Sequence, residues 1–160
     1  FSVNEIASLP DGVIISVLDI QNRNVYENIF EELIVINNNY NLGYELKFIV
    51  GDPGYVQTKI LELLTIIPSE FVLDKNFPNP FNPITKMYYS LPKRSLVSVK
   101  VYNMLGQEVV TLLNKEQSFG RYSISWNGRD SFGKEVSSGV YFAEIRASNK
   151  RRINKMLLMK

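Results

Sequence analysis

Of the side chains that ordinarily carry chemistry, this chain supplies carboxylates and little else. It contains neither cysteine nor histidine, which removes disulfides, thiolate nucleophiles, imidazole bases and Cys/His zinc sites together. Two carboxylate pairings could serve as the acid and base of a glycosidase: Glu31 with Glu32, and Glu45 with Glu62. The first pair is adjacent in sequence, so on a strand its carboxylates point to opposite faces. The second belongs to charged positions that fit the solvated faces of sheets. Asp130, in the loop after Trp126, could ligate a hard cation with nearby carbonyls, but too few acids gather there for calcium. Gly51-Asp52-Pro53-Gly54 has the composition of a turn and lacks the spacing of a phosphate loop. Trp126 ends an alternating stretch, the position of a core anchor more than of a sugar-stacking platform. The cluster Lys150-Arg151-Arg152 reads as a solvated hairpin turn, and a net charge of +2 gives no nucleic-acid surface. The expectation is a chain with no catalytic residue, metal or cofactor, one that works by being recognised.

The elements that must position such a surface read as strands. Nine Tyr and nine Phe among 160 residues, 45% of them hydrophobic, supply enough apolar surface for two small domains. β-branched and aromatic runs recur between Gly, Pro, Asn and Asp. No apolar stretch of about 18 residues occurs, so no membrane-spanning helix is expected. Phe1 at the start suggests a mature or excised fragment.

In the first half, strands are expected over Gly12 to Ile20, Phe30 to Ile36, Leu42 to Val50 and Val56 to Ile66. Turns are expected at Leu9 to Gly12, Asn37 to Asn39 and Gly51 to Gly54. Within Leu42 to Val50, alternation places Leu42, Tyr44, Leu46, Phe48 and Val50 on one face, the apolar one. Val56 to Ile66 also fits a short helix, with Ile60, Leu63 and Leu64 at i, i+3, i+4. Its β-branched content, its alternation and the following Pro68 favour a strand. Residues 1–67 thus form an immunoglobulin-like β-sandwich module with fewer strands than the usual seven or so. Its missing edge would be a place for an upstream segment or a second copy to add a strand.

Pro68-Ser69-Glu70 marks a boundary, with 68–75 as linker. The run Asn76-Phe77-Pro78-Asn79-Pro80-Phe81-Asn82-Pro83 cannot be helix or central strand. Its two Phe side chains suit an ordered cap better than a solvated linker. Strands then follow over Thr85 to Leu91, Ser95 to Asn103, Glu108 to Leu113, Gly120 to Trp126, Gly139 to Ser148 and Arg152 to Met159. Their inward faces carry Met87, Tyr89 and Leu91; Val97, Val99 and Val101; Tyr122, Ile124 and Trp126; and Tyr141, Ala143, Ile145 and Ala147. The fold class is all-β: two immunoglobulin-like β-sandwich modules in tandem, 1–67 and 76–160, the first short of strands.

The second module resembles a known family. NFPNPFNP over 76–83 is followed by Tyr88-Tyr89-Ser90-Leu91-Pro92, then Val99 to Val109 (VKVYNMLGQEV). Trp126-Asn127-Gly128-Arg129-Asp130 with Gly133 comes next, then Ser138-Gly139-Val140-Tyr141-Phe142, and the chain closes on Lys155-Met156-Leu157-Leu158-Met159-Lys160. In order and spacing this is similar to the type A C-terminal sorting domain of the type IX secretion system. The same strands resemble the Ig-like domain of the flagellar hook-capping protein. The resemblance implies a motif set of Pro78, Asn79, Pro80, Tyr102, Gly106, Trp126, Gly139, Tyr141, Lys155 and Lys160. It implies partners in the secretion and sortase machinery of the outer membrane, and an extracellular or outer-surface location in a Gram-negative bacterium. Removal by a peptidase would fall near Pro68 to Lys75. Each motif residue also has a structural reading: Gly106 as a turn, Trp126 as a core anchor, Lys155 and Lys160 as charges that blunt an edge. Two other functions fit the composition, a retained subunit of a surface layer or filament and an accessory region of a secreted hydrolase.

Overall fold

The computed structural model describes residues 9–29 and 45–160, and the chain divides into two compact units, Phe1–Ile67 and Pro68–Lys160. The first unit corrects the expectation of a sandwich. Among its described residues, β1 (Ile14–Asp19) lies between β2 (Asn24–Tyr26) and β3 (Leu46–Gly51) in an antiparallel sheet. A helix, α1 (Pro53–Ile66), occupies the stretch expected as a strand over Val56 to Ile66. Asp52 decides the outcome: held extended, it caps the helix and its carboxylate accepts the Tyr55 N–H at 3.0 Å. Pro53 follows in the first turn, where a missing N–H costs nothing. From that start the helical period stacks Val56, Ile60, Leu63 and Leu64 on one face, against Ile49, Ile14 and Val25. At the other end the Arg23 guanidinium donates to the carbonyls of Ile67 (2.8 Å) and Leu64 (3.0 Å), groups left open by the end of the helix.

The face of β3 is corrected too. Ile49 is buried, whereas Phe48 and Val50 are each 52% exposed, because the helix packs on the Ile49 side of the sheet. The turn before β1 forms as expected, with the Val13 N–H donating to the Pro10 carbonyl and Gly12 at φ 78°. The expected strand Phe30 to Ile36, the turn Asn37 to Asn39, the start of Leu42 to Val50 and the Glu31–Glu32 pair lie outside the described residues.

The second unit is a two-sheet antiparallel sandwich. One sheet has the order β4 (Val72–Leu73), β5 (Thr85–Leu91), β8 (Gly120–Trp126). The other runs β10 (Lys150–Leu158), β9 (Gly139–Ala147), β6 (Ser95–Tyr102), β7 (Glu108–Gln117). Alternation settles the core here. Met87, Tyr89 and Leu91 of β5 face Val97, Val99 and Val101 of β6 and Ala143, Ile145 and Ala147 of β9, all buried. The linker reading of 68–75 does not hold for its second half: Phe71 is 1% exposed, and Val72–Leu73 pair with Ser90 and Tyr89 of β5. Phe71 and Leu73, alternate side chains packed on the core, recruit this short segment as an edge strand. Lys150 to Arg152 belong to β10, and the β9–β10 turn lies one step earlier, where Ser148 takes φ 53°.

Candidate functional site

β10 is the edge of its sheet, and an edge strand presents a row of unpaired backbone groups. Here the proline-rich run occupies the C-terminal part of that row, from the Lys155 carbonyl to the Met159 N–H. The Asn79 side chain behaves as a short piece of strand: its Oδ1 accepts the Leu157 N–H at 2.9 Å and its Nδ2 donates to the Lys155 carbonyl at 3.2 Å. Two residues on, the Phe81 N–H donates to the Leu157 carbonyl (2.9 Å) and the Phe81 carbonyl accepts the Met159 N–H (3.0 Å), a parallel bridge. At the middle of the strand, Asn154 Nδ2 donates to the Asp74 carbonyl at 2.6 Å. Segments about 76 residues apart in sequence therefore form one seam.

The seam is rigid because both of its sides are anchored in the core. Asn76 is buried and donates to Thr85 Oγ1 (2.9 Å) and the Pro78 carbonyl (3.2 Å), while the Thr85 hydroxyl donates to that same carbonyl at 2.8 Å. Phe81 is buried against Trp126 with ring centroids 5.5 Å apart, and Trp126 meets Tyr141 edge-on at 4.9 Å. The indole N–H donates to the Arg129 carbonyl at 2.9 Å, and the Tyr141 hydroxyl donates to the Ser137 carbonyl at 2.8 Å. Burial pushes the Tyr141 phenol above its ordinary range. Gly128, at φ 68°, passes so close to Leu158 and the Pro83 carbonyl that an added Cβ would lie 3.4 Å from each.

The last residue is fixed as well. The Lys160 N–H donates to Ser138 Oγ at 3.0 Å, and its ammonium donates to Glu135 Oε2 at 3.0 Å. Glu135 Oε1 accepts from Arg129 at 2.8 Å. The hydrogen bond from Lys160, followed by its charge and that of Arg129, holds the Glu135 carboxyl below the usual range.

Of the motif residues expected from the resemblance, Asn79, Lys155 and Lys160 meet along β10. Pro78 shapes the loop through its carbonyl, and Pro80 is exposed between the two anchoring residues. Trp126 and Tyr141 support the seam from beneath, and Gly139 pairs with Leu158 in the ladder. Tyr102 and Gly106 lie apart from it, at the β6–β7 turn, where Gly106 takes φ 76°. Sequence reasoning missed Glu135 and Asn154, ordinary polar residues whose spacing carries no signal, and quoted Ser138 only as the start of a motif. Thr85 could have been found as the polar residue in phase with the buried positions Met87, Tyr89 and Leu91 of β5. Asp130 is engaged in its own turn, its Oδ1 accepting the N–H groups of Phe132 and Lys134 at 2.9 Å each. Among the described residues no three His, Cys, Asp or Glu side chains gather as a metal set, and no helix is long and apolar enough to cross a membrane. Glu45 pairs with Lys47 at 3.7 Å, and Glu62 with Lys59 at 2.8 Å.

Residues 84–151 match the FlgD Ig-like domain family, a stretch that runs from the start of β5 into β10. Among solved structures, the chain is similar to FlgD from P. aeruginosa, at 24% identity and a TM-score of 0.40, covering 57% of this chain and 71% of that one. It is similar to dimeric latent PorU from Porphyromonas gingivalis, at 16% identity and a TM-score of 0.44, covering 95% of this chain and 13% of PorU. PorZ, an essential surface component of the type IX secretion system of the same organism, gives 20% identity and a TM-score of 0.37, covering 71% of this chain and 14% of PorZ. No curated protein matches. The chain spans about an eighth of the length of PorU and a seventh of PorZ, and its second unit contains an FlgD-type Ig-like domain.

Proposed function

We propose that the second unit is a non-catalytic address module that directs a secreted protein through the type IX secretion system to the cell surface. One observation carries this reading. The two ends of the sorting-like signature, Pro78-Asn79-Pro80 and Lys155 to Lys160, come together as one rigid seam along β10. A receptor that reads this seam tests folding and identity at once, because neither half has its shape without the other. The recognised surface would be the rim of the seam, namely Pro80, Lys155, Met159 and Lys160, all exposed.

The fold supports presentation over reaction. Asn76, Asn79, Thr85 and Asn154 spend their polar side chains on backbone groups and on one another, and Lys160 spends its ammonium on Glu135. Peptidase removal within 68–75 would fall on its exposed ends, Ser69-Glu70 or Asp74-Lys75, since Val72–Leu73 between them pair with β5. Polymerisation through the second unit is opposed by the occupied outer edge of β10. The decisive experiment removes residues 76–160 from the secreted protein in a bacterium with this export system. The protein should stop at the periplasm, and its undiminished appearance outside the cell would sink the proposal.

A further inference from the structure

The outer face of the four-stranded sheet carries a feature that sealing β10 does not require. Glu144 projects from β9 away from the core, yet it is only 4% exposed. It is covered by two arginines: Arg146 Nε donates to its Oε1 at 2.6 Å, and Arg151 Nε, from β10, pairs with its Oε2. Burial by itself would push this carboxyl up, but the hydrogen bond and charge of Arg146, with those of Arg151, outweigh it and hold the carboxyl below the usual range. One carboxylate is thus shared by two guanidiniums. Each spends its Nε there, and both side chains remain more than half exposed.

Beside this triad lies a hollow of about 360 Å³, lined by Tyr102, Met104, Phe142 and Ile153 together with Arg146 and Arg151. The β6–β7 turn forms its wall. Asn103 stiffens that turn, its Oδ1 accepting the N–H groups of Leu105 (2.9 Å) and Gln107 (3.0 Å). The sheet face around the hollow carries four cations, Lys100, Arg146, Arg151 and Lys155, against two carboxylates, Glu108 and Glu144. A cavity of this size, apolar on one side and bounded by fixed donors on the other, suits a small group with both characters. The forked guanidinium recognises a carboxylate in two-point fashion. The thioether of Met104 and the branched chain of Ile153 favour an aliphatic neighbour over the flat polar face of a sugar.

We propose that this hollow binds a short acidic segment of a partner protein, a carboxylate side chain on Arg146 and Arg151 followed by an aliphatic side chain against Met104, Phe142 and Ile153. The Arg146–Glu144–Arg151 triad preorganises the donors: Glu144 fixes both guanidiniums before the ligand arrives, which lowers the ordering cost of binding. Tyr102 and Gly106, the motif residues that stand apart from the seam, acquire a place here, as floor and turn of the hollow. The inference does not depend on the export reading, since the residues that line the hollow are not those that form the seam.

Titration of the 160-residue chain with N-acetyl-glutamyl-leucinamide, followed by backbone amide NMR, tests it. Saturable shifts should centre on Tyr102, Gly106, Phe142 and Arg151, with a dissociation constant of about a millimolar for so small a ligand. The glutaminyl analogue should bind about tenfold more weakly, because a charge-assisted pair is lost. Arg151→Gln should weaken the acidic peptide by a similar factor of about ten. Met104→Ser, at an exposed turn position that leaves the fold intact, should weaken it by about threefold and leave the spectrum otherwise unchanged. Equal binding of the two analogues, shifts elsewhere, or saturable binding of glucuronate in preference to the peptide would each overturn the proposal.

Discussion

The four-stranded sheet has two edges, and they are protected by opposite means. At β7 the strand itself is spoiled as a partner. Its register against β6 slips between Val99 and Lys100 and again between Val101 and Tyr102, leaving Leu112 and Val109 as the extra residues. Such bulges twist an edge away from pairing. Charges at Lys115 and Glu116 and a bond from the Ser131 N–H to the Val109 carbonyl at 3.0 Å complete the defence. At β10 the strand is regular over nine residues, and protection is supplied from outside by Asn79 and Phe81. A bulge is built into the strand, whereas a seam of four hydrogen bonds depends on a separate loop. Under the proposed export function the covered edge is the one a receptor reads, and the irregular edge is blunted by its own bulges.

The comparison breaks most visibly at Phe81. Phe81→Ala removes a ring that is 2% exposed and packed on Trp126, and should cost roughly 3–5 kcal/mol. Lys115→Ala at the other edge should change stability by less than about 0.5 kcal/mol. Urea denaturation of both variants measures the contrast, and similar midpoints would mean that the loop contributes nothing to the β10 edge.

A finer cut comes from Asn79→Ala, which deletes two hydrogen bonds and no buried apolar surface. The expected loss is about 1–2 kcal/mol, with a gain in hydrogen exchange confined to the Leu157 amide and its neighbours. Exchange at Leu157 that does not respond to the substitution would show that Asn79 is not its partner. Gly128→Ala should follow at about 1 kcal/mol. Positive φ accounts for part of that loss, and crowding against Leu158 and the Pro83 carbonyl accounts for the remainder. Gly133→Ala is the control, since it shares the positive φ (78°) but faces open space, and thermal denaturation should rank it as the milder of the two.

How much of this was legible in the sequence depends on which physical constraint dominated locally. In β5, β6 and most of β9 one face lies against the opposite sheet, so period-two alternation and burial coincide, whereas the two bulges of β7 break its period. Met87, Tyr89, Leu91 and Val97, Val99, Val101 could be assigned inward from pattern alone. In the first unit Val56 to Ile66 carries both periods, and the deciding signal was not in that stretch but just before it. Asp52-Pro53 is a cap followed by a favoured first-turn proline, and read as a plain turn it led to the wrong element. Phe48 and Val50 failed for a related reason, since alternation identifies two faces but not which one receives the helix. The seam was half legible. Of the two Phe that suggested an ordered cap, Phe81 is buried while Phe77 is 78% exposed and contributes only backbone bonds to Lys86, and Asn79 on Leu157 is a contact between distant segments for which local pattern holds no information. The Glu144 triad was invisible because an outward-facing position is expected to be solvated, and its burial depends on arginines from two strands.

The smallest effect separates the two edges by their acids. At the β10 end Glu135 accepts from Lys160 and Arg129, and at the β7 start Glu108 accepts from Lys100 at 2.8 Å and from the Thr111 hydroxyl at 2.6 Å. Both carboxyls are held below their ordinary value of 4.5 by these hydrogen bonds first and by charge second. A depressed folded pKa stabilises the folded state above the unfolded value, and that contribution disappears as pH falls through the folded value. Both ion pairs therefore weaken in the acid range below about pH 4.5, and because both sites are solvent-exposed the gain is modest and screened by salt. Lys160→Met distinguishes them. It should move the titration of Glu135 back toward its ordinary range while Arg129 retains part of the depression, and it should leave Glu108 where it was. Carboxyl-detected NMR titration reads both groups in one sample. A Glu135 midpoint indifferent to the substitution would mean that the Lys160 ammonium does not rest on Glu135, and that the backbone bond to Ser138 alone holds the residue.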